Sequence, residues 1–219
     1  MHKCCNFVGM RGYYITIIFF LTLVHGWSQS FRLGTVVLDF NTGLEGYSST
    51  STYTQTGNDT VVKWFTTNSN LSFGIELGLG KRFGIGLRGK ANNFARELDQ
   101  VTNSRADVNT KDLTMIVNFH PINRKKFDLA IGSELGLSKL FIDVNNLSNT
   151  QIMGKGGYYA FYLNPRVYFG RLGINLKTYL PFLNYKDLLS QDAGPGNYIL
   201  TRWKGSGFGV SLGVQLRLF

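Results

Sequence analysis

Residues 71–90 read LSFGIELGLGKRFGIGLRGK, and their alternation restricts the local geometry more than any other feature of the chain. Leu71, Phe73, Ile75, Leu77 and Leu79 are apolar, while Ser72, Gly74, Glu76, Gly78 and Gly80 between them are small or charged. After Lys81 and Arg82 the pattern resumes, with Phe83, Ile85 and Leu87 set against Gly84, Gly86, Arg88 and Lys90. A period of two belongs to a β-strand with two unlike faces.

Similar alternation marks stretches near 31–45, 64–80, 83–96, 111–120, 127–142, 157–169, 172–182 and 204–219, which predicts eight strands. The links between them alternate in length. Those at 80–82, 120–126 and 170–171 are short, whereas 46–63, 97–110, 143–156 and 183–203 read as long polar loops. Short turns on one side of an antiparallel meander and longer loops on the other are the pattern of a transmembrane barrel. Parity predicts two of the turns, because residues paired across a hairpin face the same way. Phe169 should sit beside Leu172 across Gly170 and Arg171, and Leu79 beside Phe83 across Gly80, Lys81 and Arg82. Pro165 removes a ladder donor and predicts a bulge.

Composition decides which face meets which solvent. At 43% hydrophobic with 26 Gly and 16% charged residues, the chain is not of a disordered type. No segment after residue 30 supplies the roughly 18 apolar residues of a membrane helix, so membrane embedding would have to use strands. A soluble barrel would carry the apolar set inward, crowding an eight-stranded interior and leaving an outer face of Gly, Ala and Ser. Turned the other way, the small and polar set fills a narrow lumen and the Leu, Ile, Val and Phe set meets lipid. That second arrangement is the one predicted.

Residues 1–28 read as a secretory signal: Lys3 and Arg11 precede the apolar run Ile15–Val24, and small residues follow at Gly26 and Ser28. This leaves 29–219 as one barrel domain. Both cysteines, Cys4 and Cys5, precede the apolar run, so the exported part has no disulfide and no cysteine chemistry. Without Lys3 and Arg11, 21 basic and 13 acidic residues remain, a net +8 with no basic cluster of the kind that binds nucleic acid.

The predicted lumen set carries both signs: Glu76, Arg88, Lys90, Asp128, Glu134, Arg166, Lys177 and Arg217. A barrel of about eight strands is filled by side chains, so these residues should form a salt-bridged plug, with Arg88 diagonal to Glu76. On the apolar set, Phe83, Phe119, Phe127 and Phe169 flank the short turns as a lower aromatic girdle. Tyr159, Phe161, Phe182 and Trp203 are candidates for an upper one. Lys81, Arg82, Arg124, Lys125, Lys126 and Arg171 lie at the short turns, while Glu45, Asp59, Glu97, Asp99, Asp107, Asp112, Asp143, Asp187 and Asp192 are read in or near the long loops.

The stretch DLTMIVNFHPINRKKFDLAIGSELGLSKL, Asp112 to Leu140, resembles the middle hairpin of the small outer-membrane β-barrel proteins of Gram-negative bacteria, the OmpA and OmpX kind. It has an apolar strand, a turn containing proline, and a strand with Gly132 and Gly136 four apart. The last strand, GVSLGVQLRLF, ends in Phe219 as that family's strands tend to, although its apolar residues fall one position off the terminal aromatic. The resemblance implies an outer-membrane location, contact with outer-membrane lipid and lipopolysaccharide, and insertion by the barrel-assembly machinery.

Some barrels of that architecture are lipid-modifying enzymes that need a histidine and a serine near the outer rim. After the signal only His120 remains, before Pro121 at a short turn, and it reads as a turn residue. Nucleophilic catalysis, a zinc site and any other cofactor therefore lack a residue set. The expectation is a non-enzymatic barrel that presents four long loops for surface binding or envelope support. The alternatives are an accessory part of a secretion machine resembling PorT, and a transporter of small hydrophobic molecules, which needs a lateral opening.

Overall fold

Every alternating stretch becomes a strand, and most strands run well past the alternation that announces them. The computed structural model describes residues 31–55, 58–95, 97–99, 104–144, 150–190 and 199–218. The signal over 1–28 and the terminal Phe219 lie outside these residues. The strands are β1 Val36–Gln55, β2 Asn58–Gly78, β3 Phe83–Phe94, β4 Glu97–Asp99, β5 Ser104–Asn123, β6 Phe127–Val144, β7 Thr150–Phe169, β8 Leu172–Ser190 and β9 Ile199–Arg217. Sequence neighbours pair antiparallel except β3 and β4, while β1 pairs β9 and β3 pairs β5, so the sheet closes. The short β4 continues the line of β3 along β5, which makes an eight-stave up-and-down barrel.

Register fixes the shape. One circuit of directly paired residues from Phe119 passes Ile131, Leu163, Thr178, Val210, Leu44, Ser69 and Asn93 and returns to β5 at Asn109, ten residues from its start. Such a stagger tilts the strands by about 35–45° to the axis. At roughly 3.3 Å per residue the 21 residues of β2 then rise about 50 Å, twice the height of a lipid-facing belt.

The two hairpins take the predicted register. Phe169 pairs with Leu172, and Gly170 adopts φ 72°, which the turn demands and a side chain would strain. The Leu79 N–H donates to the Phe83 carbonyl at 2.8 Å across the three-residue loop. Pro165 is a correction: it pairs with Leu129 in unbroken register. The β5–β6 ladder instead shifts between Phe119 and Ile122, around His120 and Pro121.

The long loops are a second correction. Most of 46–63, 97–110, 143–156 and 183–203 is strand, and the strand ends leave only 56–57, 100–103, 145–149 and 191–198 as links. The reason is an inversion of phase. In the lower half the apolar residues point out, with Leu137 76% and Phe169 71% exposed. In the upper half they point in: Val108, Leu140, Ile142, Leu183, Tyr185, Leu200 and Trp203 are buried, while Asn109, Lys111, Lys139, Asn184, Lys186, Arg202 and Lys204 face out. An outer wall that changes from apolar to polar partway up is a wall leaving lipid for water.

Candidate functional site

The inward-facing positions of the lower and middle barrel form three ionic tiers. Lowest, Glu76 on β2, His120 on β5, Asp128 on β6 and Arg166 on β7 meet at the axis. His120 Nε2 lies 2.9 Å from Glu76 and its Nδ1 2.8 Å from Asp128, while Arg166 lies 2.8 Å from Glu76 and 3.5 Å from Asp128. His120 is thus a fully buried lumen residue and not a turn residue. The Phe31 ring stacks on it at 3.9 Å, and Asn123 clamps the Phe31 backbone through bonds of 2.7 and 2.6 Å. The segment before β1 therefore closes the short-turn mouth.

The middle tier joins Arg88 to Asp39 at 2.8 Å and to Glu134, which also accepts from Lys177. Lys177 lies 4.2 Å from the centre of the Tyr162 ring, and Arg88 5.8 Å. Glu76 pairs with Gly86, so Arg88 stands diagonal to it as expected, but each takes other partners: the Glu76 carboxylate folds over Gly84 to His120 and Arg166, and Arg88 turns to Asp39 and Glu134. Gly132 makes room for this tier: a Cβ there would meet Asn118 and the Tyr162 ring, which are hydrogen-bonded to each other.

In the third tier Lys90 lies 2.8 Å from Glu45 and 3.7 Å from Asp112, with its ammonium 4.0 Å from the Tyr158 ring centre. Tyr47 and Asn68 donate to Glu45 at 2.6 and 2.9 Å, and Asn92 and Ser138 donate to Asp112. Glu45 and Asp112 are therefore lumen groups and not loop acids. Above them the buried residues among those described are uncharged. Tyr185 stacks on Trp203 at 5.4 Å, Phe94 meets Trp203 edge-on at 5.2 Å, and Leu140, Ile142, Leu183, Leu188 and Leu200 complete an apolar plug.

Of the eight lumen charges read from the sequence, Glu76, Arg88, Lys90, Asp128, Glu134, Arg166 and Lys177 lie in these tiers. Arg217 stands at the rim, over the Tyr168 ring at 4.6 Å and donating to the Gly170 carbonyl at 2.9 Å. The sequence reading missed Asp39, Glu45, Asp112 and His120, although parity marks Asp39 and Asp112 as inward once the strand is known. Phe83, Phe119, Phe127 and Phe169 all lie on outward positions near the short turns, with Phe83 and Phe119 5.3 Å apart. Tyr159, Phe161 and Phe182 also face out, but Trp203 is a correction, being 2% exposed inside the plug.

The tiers set six carboxylates against Arg88, Lys90, Arg166 and Lys177, with His120 between two of them, so each buried charge has a counter-group within the lumen. Both ring nitrogens of His120 are taken by carboxylates, so neither is placed to activate a hydroxyl.

No protein-family model and no curated relative matches the chain. Solved structures do. The outer membrane protein OprG from Pseudomonas aeruginosa superposes with TM-score 0.54 at 12% identity, over 87% of this chain and 98% of that one. The outer membrane protein AlkL, determined in DMPC lipid bilayers, superposes with TM-score 0.53 at 15% identity, over 88% of this chain and 94% of that one. The fold is that of a small outer-membrane β-barrel. The apolar belt on the lower outer wall is the surface by which a barrel of this fold sits in a membrane.

Proposed function

We propose that this protein is a non-enzymatic, closed outer-membrane barrel whose work is done by its upper half, a rigid strand-built turret that binds a partner outside the cell or braces the envelope. The observation that carries the reading is the filled lumen: three ionic tiers below and an aromatic plug above leave side chains where a pore would need water. The turret differs from the loops read in the sequence in being hydrogen-bonded wall, so its outward residues keep fixed spacings, which suits recognition without an ordering cost.

A second reading, transport of small hydrophobic molecules, is favoured by one observation. The β2–β3 ladder ends at Asn68 and Phe94, the last bond being Ala95 N–H to the Thr67 carbonyl, while β2 continues up to Asn58. Among the described residues no ladder joins that upper edge to β4. A groove of about 590 Å³ lies at its foot, lined by Leu71, Ala91, Asn93, Asn109, Lys111 and Phe141 among others.

Proteoliposomes separate the two. A closed barrel leaves both ion leakage and the entry of a fluorescent apolar probe at the rate of empty vesicles. Faster entry of the probe with ion leakage unchanged would favour the transporter, and faster ion leakage would defeat the closed reading altogether.

A further inference from the structure

Five basic residues form an unbroken line across the outer wall. Lys111 pairs directly with Lys139, Lys139 with Lys155, Lys155 with Lys186, and Lys186 with Arg202, on five successive staves. All five are exposed. Lys63 and Lys204, each paired with Thr50, extend the same charge around the barrel. Like charges directly opposite one another destabilise a sheet, and four such pairs in succession have no carboxylate between them. Among the described residues no ion pair involves any of the five, and Lys111 has the Phe141 ring at 5.7 Å. Asp107 and Asp143, outward on the same strands, stand four residues further from the short turns than Lys111 and Lys139 and pair with each other. Among the described side chains no carboxylate offsets the repulsion.

Position narrows what would. Lys139 lies twelve residues beyond Phe127, the first residue of β6, which at the strand rise and tilt of such a barrel is about 30 Å above the turns. A lipid-facing belt is about 25 Å tall, so the line sits at the headgroups of the outer leaflet. Below it Tyr159 packs on Phe161 at 4.7 Å and on Phe182 at 6.1 Å, and Leu135, Leu137 and Leu180 continue down the wall. Aromatic rings beneath basic residues are the arrangement of a membrane interface.

We propose that this line binds the phosphates of a phosphorylated outer-leaflet glycolipid, with the lipid's acyl chains lying on the apolar wall beneath it. Five staves span about 19 Å between the outer two, room for both phosphates of one headgroup or for neighbouring lipids. A soluble polyanion would use the charges and leave the apolar wall idle, whereas an amphiphile uses both. The site is separate from whatever the turret recognises.

The test loads the protein in zwitterionic nanodiscs with lipid A, and reads retained lipid by native mass spectrometry. The comparison variants are a triple Lys139→Gln, Lys155→Gln, Lys186→Gln and the matching triple Lys→Arg. Heat-shifted gel mobility verifies folding; if the triple Gln protein fails to fold, the single Lys155→Gln is read in its place. Wild type and the Arg variant should retain the lipid, and the triple Gln variant should lose it by about tenfold or more. Equal retention by the Gln variant would overturn the proposal. So would equal retention of dephosphorylated lipid A by wild type, or displacement of lipid A by heparin or inorganic phosphate, which would move the site to soluble anions.

Discussion

Arg88 and Glu134 lie on strands that do not pair, β3 and β6, and their ion pair spans the stave β5 between them from inside the lumen. Arg88 also reaches Asp39 on β1 at 2.8 Å, so one guanidinium ties together three staves that share no ladder. The lower barrel is held by its hydrogen-bonded wall and, independently, by this interior brace.

Removing the brace from one side leaves buried charge without a partner. Arg88→Ala should lower unfolding stability by roughly 3–5 kcal/mol, because Asp39 and Glu134 both lose a counter-charge. Urea titration in detergent, followed by gel mobility, measures it. A loss below about 1 kcal/mol, the scale of an exposed pair, would mean that the tiers do not bear on stability.

Arg217 should behave differently despite belonging to the same alternating set. It stands at the rim on a carbonyl and a ring face, so Arg217→Gln should cost about 1 kcal/mol or less. The same titration on Arg166→Gln, which removes a cation from Glu76 and Asp128, should show a loss several times larger.

Two glycines of one barrel should differ for a steric reason. Gly132→Val would drive side-chain atoms into Asn118 and Tyr162, and should abolish the heat-shifted band or lower its midpoint sharply. Gly157→Ala, with nothing within 4 Å of the added carbon, should leave the midpoint unchanged.

Outward substitutions should depend on height. Leu163→Arg, in the apolar belt, should cost about 2–4 kcal/mol in lipid, whereas Asn109→Arg, on the polar wall above, should be near neutral. Refolding yield and urea midpoint in vesicles give both numbers.

The lower half of this molecule is legible in the sequence because one solvent rule governs it: Leu, Ile, Val and Phe face lipid, and small or charged residues face inward. Parity alone places Leu79 beside Phe83 and Phe169 beside Leu172. The upper half obeys the opposite rule. Lys139, Leu140, Phe141, Ile142 and Asp143 still alternate, but with Leu140 and Ile142 turned inward, so a reading that keeps the lipid phase sees the strand end. Asp39 and Glu45 were hidden for a related reason. On β1 Thr42, Gly46, Ser48 and Thr50 make the outward set nearly as polar as the inward one. His120 was misplaced because Pro121 suggests a turn, where the strand instead absorbs proline in a register shift and continues to Asn123. Which acid meets which base was not legible, since partners such as Arg88 and Glu134 reach over an intervening stave and not along a ladder.

The height at which the outer wall leaves the bilayer separates the lipid-facing half from the turret, and cysteine labelling measures that height. The only two cysteines are Cys4 and Cys5, within the predicted signal, so single cysteines at outward positions of β6 report alone in the exported part. In lipid vesicles a water-soluble maleimide should fail to label cysteine at Ser133, Leu135 and Leu137, and should label it at Phe141 and Asp143, with the change at Lys139. Labelling at all five positions, or protection at all five, would contradict a barrel embedded to the basic line.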